Sequence, residues 1–485
     1  MAKTVFISAD HGLAIVYFLQ SDIIPTLLEA GIEVVLLTDD SLKEKIEEKF
    51  GKPGLHIEGL RMKQANDYFS TVNSTEQWWL NFLRRVGGSS RINPEAMDSH
   101  VQQVDYEAQG KRKMMMPIMK GVVKILRSSA TARKMLVKRQ MKYAPDLYGD
   151  LFDKFQPFLV IASTPGWRLD RYLMRQAVKR GVPTMGAIVG WDNPSSYAIP
   201  GAPVDWVTCW SENQKQELML GSDWKKEAVH IGGIPSYDGY FRKTWLMEKH
   251  DYYNLHHLDP ERKLLSYACS FITFSPNYQN IEAIAELVAN DELAEPSQLL
   301  IRLHPNHFMD EPLFAGEKAK IEALAERHPH VHVVEPVALG GELGRYSGED
   351  MPEKCSMMAH ADVFLTVYST MVVEAAIHDR PIVSVCIDAP GGWNQPGRFS
   401  LDLSKIGDWP THQRFIKAGA GLATFDKESL KSAINSYLEN PELHSSERQQ
   451  FINQECTFTD GCAGKRTADF IISCIDRKPS GKRQA

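Results

Sequence analysis

A chain of 485 residues is too long for one ordinary core, so two or three domains are expected. Its composition, 43% hydrophobic and 24% charged, is that of a globular protein, and no stretch approaches the ~20 apolar residues of a membrane-spanning helix. A net charge of −6 argues against a dedicated nucleic-acid binder, and the seven cysteines are scattered with no CxxC pair, which reads as reduced core thiols of a cytoplasmic protein and no metal site.

The N-terminus, MAKTVFISAD, runs straight into a strand pattern over Thr4 to Ser8, with no sign of a signal peptide. A tight loop, Ala9-Asp10-His11-Gly12, follows, then a helix over Leu13 to Ala30 and a strand over Glu33 to Leu37. This is a βαβ unit, and its first loop sits at the carboxyl end of a strand, where open α/β sheets bind ligands. Asp10 and His11 are therefore candidates for a general base, imidazole having the unperturbed pKa nearest neutrality. An Asp cap beside a half-exposed His explains the same residues. The loop lacks the GxGxxG of a dinucleotide fingerprint.

Residues 60–150 are less regular, with an apolar cluster at Trp78, Trp79 and Phe82. From Lys111 to Lys142 the chain is helical in composition and strongly basic, with no acidic residue between Glu107 and Asp146. A basic amphipathic helix of this kind suits an anionic membrane surface or substrate. A solvated helix packed by its apolar side is the plainer alternative.

The α/β alternation resumes with a strand over Phe158 to Ala162, a loop from Ser163 to Trp167, a helix over Arg168 to Arg180 and a strand over Val182 to Val189. Trp191, Asp192 and Asn193 follow in another carboxyl-end loop and are candidates for lining a ligand cleft. A strand over Trp206 to Trp210, a helix capped by Ser211 and a strand over Val229 to Ile231 complete a domain over residues 1–240. Residues 241–262 are polar, aromatic and irregular, and read as a linker.

A second α/β set spans 263–455. Its first strand, Leu264 to Ala268, ends near Ser270 and Thr273, whose hydroxyls could face a ligand. The strand Leu299 to Leu303 ends in His304-Pro305-Asn306, and alternation points Arg302 and His304 to one side, where they could hold a diphosphate. A salt-bridged Arg and a His bonded to backbone are the plainer alternative; a phosphate-type helix cap in the same domain favours the ligand role. His328, His330 and His332 alternate, but no carboxylate or Cys set accompanies them, so a polar strand edge is expected and no zinc site. Residues 361–387 form a strand–helix–strand unit, ADVFLTVYSTMVVEAAIHDRPIVSVCI. Ser369 and Thr370 are natural N-caps whose helix end suits a phosphate, and Glu374, one turn further in, could reach a ribose hydroxyl. An ordinary capped crossover helix is the alternative. After a polar loop near Asp460, Thr467 to Ile475 is a last helix, and the end PSGKRQA looks disordered.

Two α/β domains joined by a linker resemble the GT-B glycosyltransferase fold, with Rossmann-like parallel sheets, and the resemblance implies that the last helix, within residues 456–478, crosses back to the first domain. RLHPN at 302–306, DVFLTVYSTMVVEAAIHDRPIVSV at 362–385 and TDGCAGKRTADFI at 459–471 look like the sugar-nucleotide half of the capsular-polysaccharide and CDP-glycerol glycerophosphotransferase group and, more distantly, of UDP-N-acetylglucosamine 2-epimerases. GWDNPSSY at 190–197 is similar to bacterial surface-polysaccharide transferases of this type. The resemblance implies a nucleotide-sugar donor on the C-terminal domain, held at Arg302, His304, Ser369, Thr370, Glu374 and Ser270. It also implies an acceptor, glycan or lipid-linked, on the N-terminal domain, no cofactor and no metal. The loop ADHG departs from both the glycine-rich acceptor loop of lipid-linked sugar transferases and the arginine-bearing loop of the epimerases. The expectation is an inverting glycosyltransferase of the cytoplasm, peripheral on the membrane. Its rivals are a glycerophosphotransferase, a 2-epimerase and a binding protein without catalysis.

Overall fold

The computed structural model describes residues 3–270, 274–338 and 347–476, so Thr273 and the terminal PSGKRQA lie outside the described residues. The chain divides into two units. Among the described residues, unit 1 holds 3–238, 347–348 and 456–476, and unit 2 holds 239–270, 274–338 and 349–455.

Among the described residues, unit 1 is built on seven strands: β1 (Lys3–Ser8), β2 (Ile32–Thr38), β3 (Leu55–Gly59), β4 (Leu159–Ala162), β5 (Thr184–Ala187), β6 (Trp206–Cys209) and β7 (Val229–Ile231). Their order is β3-β2-β1-β4-β5-β6-β7, and every pairing is parallel. The sheet is covered on both faces, one by a core around Val5, Ile7, Phe18 and Leu36, the other by a core around Phe6, Val35, Tyr172 and Val207. Burial on two sides explains why these strands read as continuous apolar runs. The strand order reverses between β1 and β4, so the loops after these two strands diverge around a crevice. Register sets Ser8 opposite Ala162 at its mouth.

The helix expected over Leu13 to Ala30 is broken into Gly12–Leu19 and Ile23–Glu29. Ser21 causes the break: its hydroxyl donates to the Tyr17 carbonyl (2.6 Å) and accepts from the Ile23 N–H (3.3 Å), competing with the helix ladder. Pro25 is tolerated because it falls in the first turn of the second piece. Among the described residues no single helix is long and apolar enough to cross a membrane; this bent pair passes by composition, but its apolar side chains fill the unit 1 core. The helix Ala463–Ile475 belongs to the same core through Ala468, Ile471 and Cys474, and the Asp238 carboxylate accepts from the Ala463 and Gly464 N–H groups (2.9 and 2.7 Å).

The basic segment is a helical pair, Gly110–Ser128 and Ala130–Gln140, with Ser129 capping the second helix. Together with the Ser74–Val86 helix it encloses its own small core of Trp79, Phe82, Met116, Val123 and Leu126.

Unit 2 has six parallel strands: β8 (Lys263–Ala268), β9 (Ser297–Arg302), β10 (Val331–Val334), β11 (Val363–Thr366), β12 (Ile382–Val385) and β13 (Leu422–Thr424), ordered β10-β9-β8-β11-β12-β13. The reversal lies between β8 and β11, placing Ala268 opposite Thr366. The segment 241–262, read as a linker, is folded into this unit. It carries the helix Lys249–Leu255, and Tyr252 and Tyr253 are buried. Their buried rings anchor the helix, and the Tyr252 hydroxyl donates to Glu353 (3.1 Å).

Candidate functional site

The crevice of unit 1 gathers residues from the loops after β1 and β4. Asp10 is fully buried. One of its oxygens, Oδ1, lies 2.6 Å from His11 Nδ1 and accepts from the Ser163 hydroxyl at 2.7 Å; Oδ2 accepts from Arg168 Nε at 3.0 Å. Burial opposes ionisation of Asp10, but His11 and Arg168 outweigh it and hold the carboxyl well below the ordinary range. His11 is shifted down, chiefly by burial, against the opposing pull of Asp10. It is therefore a neutral imidazole at pH 7, and the anion on its Nδ1 side sets the tautomer with the proton there. Its Nε2 is left as a proton acceptor.

A second carboxylate, Asp170, lies under the same loop. Thr164 Oγ1 donates to it at 2.5 Å and the Arg168 N–H at 3.1 Å. Burial first, and then the charge on Asp10, push Asp170 up to about 7. Two carboxyl groups with opposed shifts are thus packed around Arg168. Ser163 and Arg168 escaped the sequence reading, although the loop bearing Ser163 was visible at a strand's carboxyl end.

Trp191 is buried, and its carbonyl accepts from Gln214 Nε2 (3.0 Å), so its ring cannot serve as an exposed acceptor platform. The Asn193 carboxamide accepts from the Gly190 N–H (2.9 Å), and Asp192 stands at the N-cap position of the short helix Asn193–Ser196. These groups brace their own loop.

In unit 2, the loop after β9 locks itself. His304 Nδ1 accepts from the Asn306 N–H, and His307 Nδ1 accepts from the His304 N–H, both at 3.1 Å. His307 Nε2 lies 3.2 Å from Glu317, whose other oxygen accepts from the Asn277 and Tyr278 N–H groups (2.6 and 3.0 Å). Asn277 in turn accepts from the Ser270 N–H (3.2 Å). The loops after β8 and β9 are thereby fixed to one another around a recess that both Ser270 and His304 line. Burial first, and then the neighbouring His307 and the cations Arg302 and Lys354, push His304 down to about 3. With Nδ1 accepting, the proton sits on Nε2, a donor suited to an anion.

Arg302 has the salt-bridged role left open above: it is buried between Asp350 (2.5 Å) and Glu353. Both carboxylates lie beyond the reach of local sequence reasoning, and they absorb its charge. Thr370 occupies the N-cap position of the helix Met371–Ile377 with helical dihedrals and no side-chain cap bond; Ser369 Oγ accepts from the Met371 N–H (3.2 Å) instead. Tyr368 before them adopts a left-handed backbone, φ 43°. Glu374 is buried, lying 2.6 Å from Lys354 Nζ and accepting from the Tyr240 hydroxyl (2.5 Å). Lys354 is the cation that sequence reasoning missed, because it comes from the neighbouring helix Met351–His360 with no motif around it. Among the described residues no group of His, Cys, Asp and Glu could hold a metal ion.

No protein-family model matches this sequence, and no curated protein matches it. Solved structures do. A UDP-N-acetylglucosamine 2-epimerase from Listeria monocytogenes, described there as putative, superposes with a TM-score of 0.55 at 13% identity, over 99% of both chains. MnaA of S. aureus, solved with UDP, gives 0.53 at 12% identity over 99% of both chains. A UDP-GlcNAc 2-epimerase from Neisseria meningitidis, solved with UDP-GlcNAc, gives 0.52 at 12% over 97% of this chain and all of the other. With its two parallel sheets, each reversing order at a loop-lined crevice, the chain has the two-domain GT-B-like fold.

Proposed function

We propose that this chain is a GT-B-type glycosyltransferase that moves a sugar from a nucleotide-sugar donor to a hydroxyl of a surface-glycan or lipid-linked acceptor. The observation that carries the reading is the Asp10–His11 pair at the strand-order reversal of unit 1. A neutral imidazole held by a buried carboxylate is the equipment for deprotonating an alcohol.

In this reading the donor lies on unit 2 and the acceptor on unit 1. The acceptor oxygen passes its proton to His11 Nε2 and bonds to the anomeric carbon. The bond from that carbon to the β-phosphate oxygen breaks, and its electron pair leaves with the nucleoside diphosphate. His304 Nε2–H, the Ser369 hydroxyl and Lys354 stabilise that charge, so no metal is required. Glu374 meets the ribose, exchanging its bond to Tyr240 for one to a hydroxyl. Attack from the face opposite the diphosphate inverts the anomeric centre. The enzyme works in the cytoplasm, peripheral on the membrane that holds its acceptor.

A second reading is a sugar-nucleotide 2-epimerase, favoured by the solved epimerases that share the fold. It predicts turnover of UDP-N-acetylglucosamine with no acceptor. CDP-glycerol transfer is the third; it forms a phosphodiester and releases CMP, so it predicts stabilisation by CMP. A thermal-shift panel of UDP, GDP, CDP and CMP on the wild type and on Ser369→Ala/Glu374→Ala tests the donor site and identifies its nucleotide. Ligand at a hundred times its Kd adds about 2.7 kcal/mol. Stabilisation of the wild type but not of the variant by one diphosphate supports the donor site, and no response to any of them removes it.

A further inference from the structure

Four of the large apolar side chains left exposed by this chain sit on the basic helical pair: Met114 at 79% exposure, Ile118 and Ile125 at 58% each, and Met135 at 64%. Met114, Ile118 and Ile125 recur at spacings of four and seven, so they form one row along the Gly110–Ser128 helix. The opposite side of that helix is already seated, through Met116, Val123 and Leu126, in the local core. The outer row is therefore surplus to folding.

Charge frames the row. Lys113 and Lys120 are neutralised by Asp105, Arg127 by Asp98, Arg133 by Asp223, and Arg139 and Lys142 by Glu76. Lys111, Lys124, Lys134 and Lys138 are exposed and make no ion pair or hydrogen bond with any described residue. Lys111 and Lys124 fall on either flank of the apolar row when the helix is viewed down its axis. The Arg133–Asp223 pair, bonded through both Nε and Nη2 (2.6 and 2.8 Å), ties the second helix to the body of unit 1. An apolar stripe flanked by unneutralised lysines, on a rigidly held helix of a chain with net charge −6, matches the headgroup boundary of a bilayer rich in acidic phospholipid.

We propose that the Gly110–Ser128 helix lies flat on such a leaflet, with Met114, Ile118 and Ile125 entering the acyl boundary and Lys111, Lys124, Lys134 and Lys138 on the phosphates. This deepens the reading of a membrane-held acceptor, but its test does not depend on transferase activity.

The full-length chain is sedimented with phosphatidylcholine vesicles, with and without phosphatidylserine. Binding is expected only with the acidic lipid, falling steeply with salt. Met114→Glu/Ile118→Glu/Ile125→Glu should lower partitioning by about tenfold or more, as should Lys111→Glu/Lys124→Glu/Lys134→Glu/Lys138→Glu. Both sets are exposed, and an unchanged melting temperature confirms that they fold. Nucleotide diphosphate binding by both should match the wild type, which separates this surface from the donor site. Equal binding of wild type and variants to acidic vesicles overturns the proposal. So does a dimer in sedimentation velocity that the Glu variants dissociate while vesicle binding is absent, since the face would then join two copies.

Discussion

The Glu374–Lys354 pair makes the sharpest test of the electrostatic reasoning in unit 2. Their side chains are only 5% and 13% exposed, and the contact is 2.6 Å. Glu374→Gln keeps an oxygen for the Tyr240 hydroxyl but leaves the Lys354 ammonium facing a neutral amide. Removing one partner of a buried pair costs about 3–5 kcal/mol, and the residual exposure of Lys354 puts this case at the lower end, about 3 kcal/mol. Lys354→Met should cost a similar amount, because it strands the carboxylate. The double variant has no stranded charge and should lose only about 1–2 kcal/mol, giving a coupling energy of about 4–5 kcal/mol. For a unit of this size, about 3 kcal/mol corresponds to a fall of roughly 6–12 °C in the melting transition. Calorimetry on the four proteins reads the cycle directly. Single-variant losses that simply add in the double variant would refute the claim that the two charges compensate each other. Binding of a nucleoside diphosphate, measured by titration calorimetry on Glu374→Gln, then separates structural from ligand-facing roles. If Glu374 meets the ribose, affinity should drop by about tenfold even where the protein is fully folded, one charged hydrogen bond being worth about 1.5–3 kcal/mol.

Other expectations follow from unit 1. His11→Gln should abolish turnover while leaving the melting temperature within a few degrees, because the Gln amide can still donate to Asp10; activity above a hundredth of wild type would exclude it as the base, since such bases contribute about 10²–10⁴-fold. Because burial lowers the His11 pKa below its ordinary 6.5, the acidic limb of kcat/KM should fall below pH 6.5; a limb above that value contradicts the assignment. Asp170 is shifted the other way, from an ordinary 3.8 to about 7. Between those values the folded state holds a proton that the unfolded state has lost, so this group makes stability fall as pH rises from about 4 to 7. Chemical denaturation of Asp170→Asn should show a shallower decline across that window, and an unchanged slope would show that Asp170 ionises normally.

The sequence determined the elements, and for a physical reason: strands buried on both faces leave unbroken apolar runs, and crossover helices leave caps and periodicity. The order of βαβ units, the position of Asp10-His11 after a strand and the capped segment at 369–374 are all local patterns. The break at Ser21 was not legible, because a single hydroxyl competing with the helix ladder leaves the apolar periodicity intact. Segment 241–262 was misread because its aromatics are spaced for tertiary anchoring, and no periodicity announces that. What only the tertiary structure decided was partnership. Arg302 and His304 leave the same strand, yet one is absorbed by Asp350 and Glu353 while the other accepts from the Asn306 N–H of its own loop. Glu374 finds Lys354 on another helix and Tyr240 far earlier in the chain, and Asp10 finds Arg168 across the strand-order reversal. A charged side chain reaches only a few ångströms, and sequence distance says nothing of which counter-charge folding will bring within that reach.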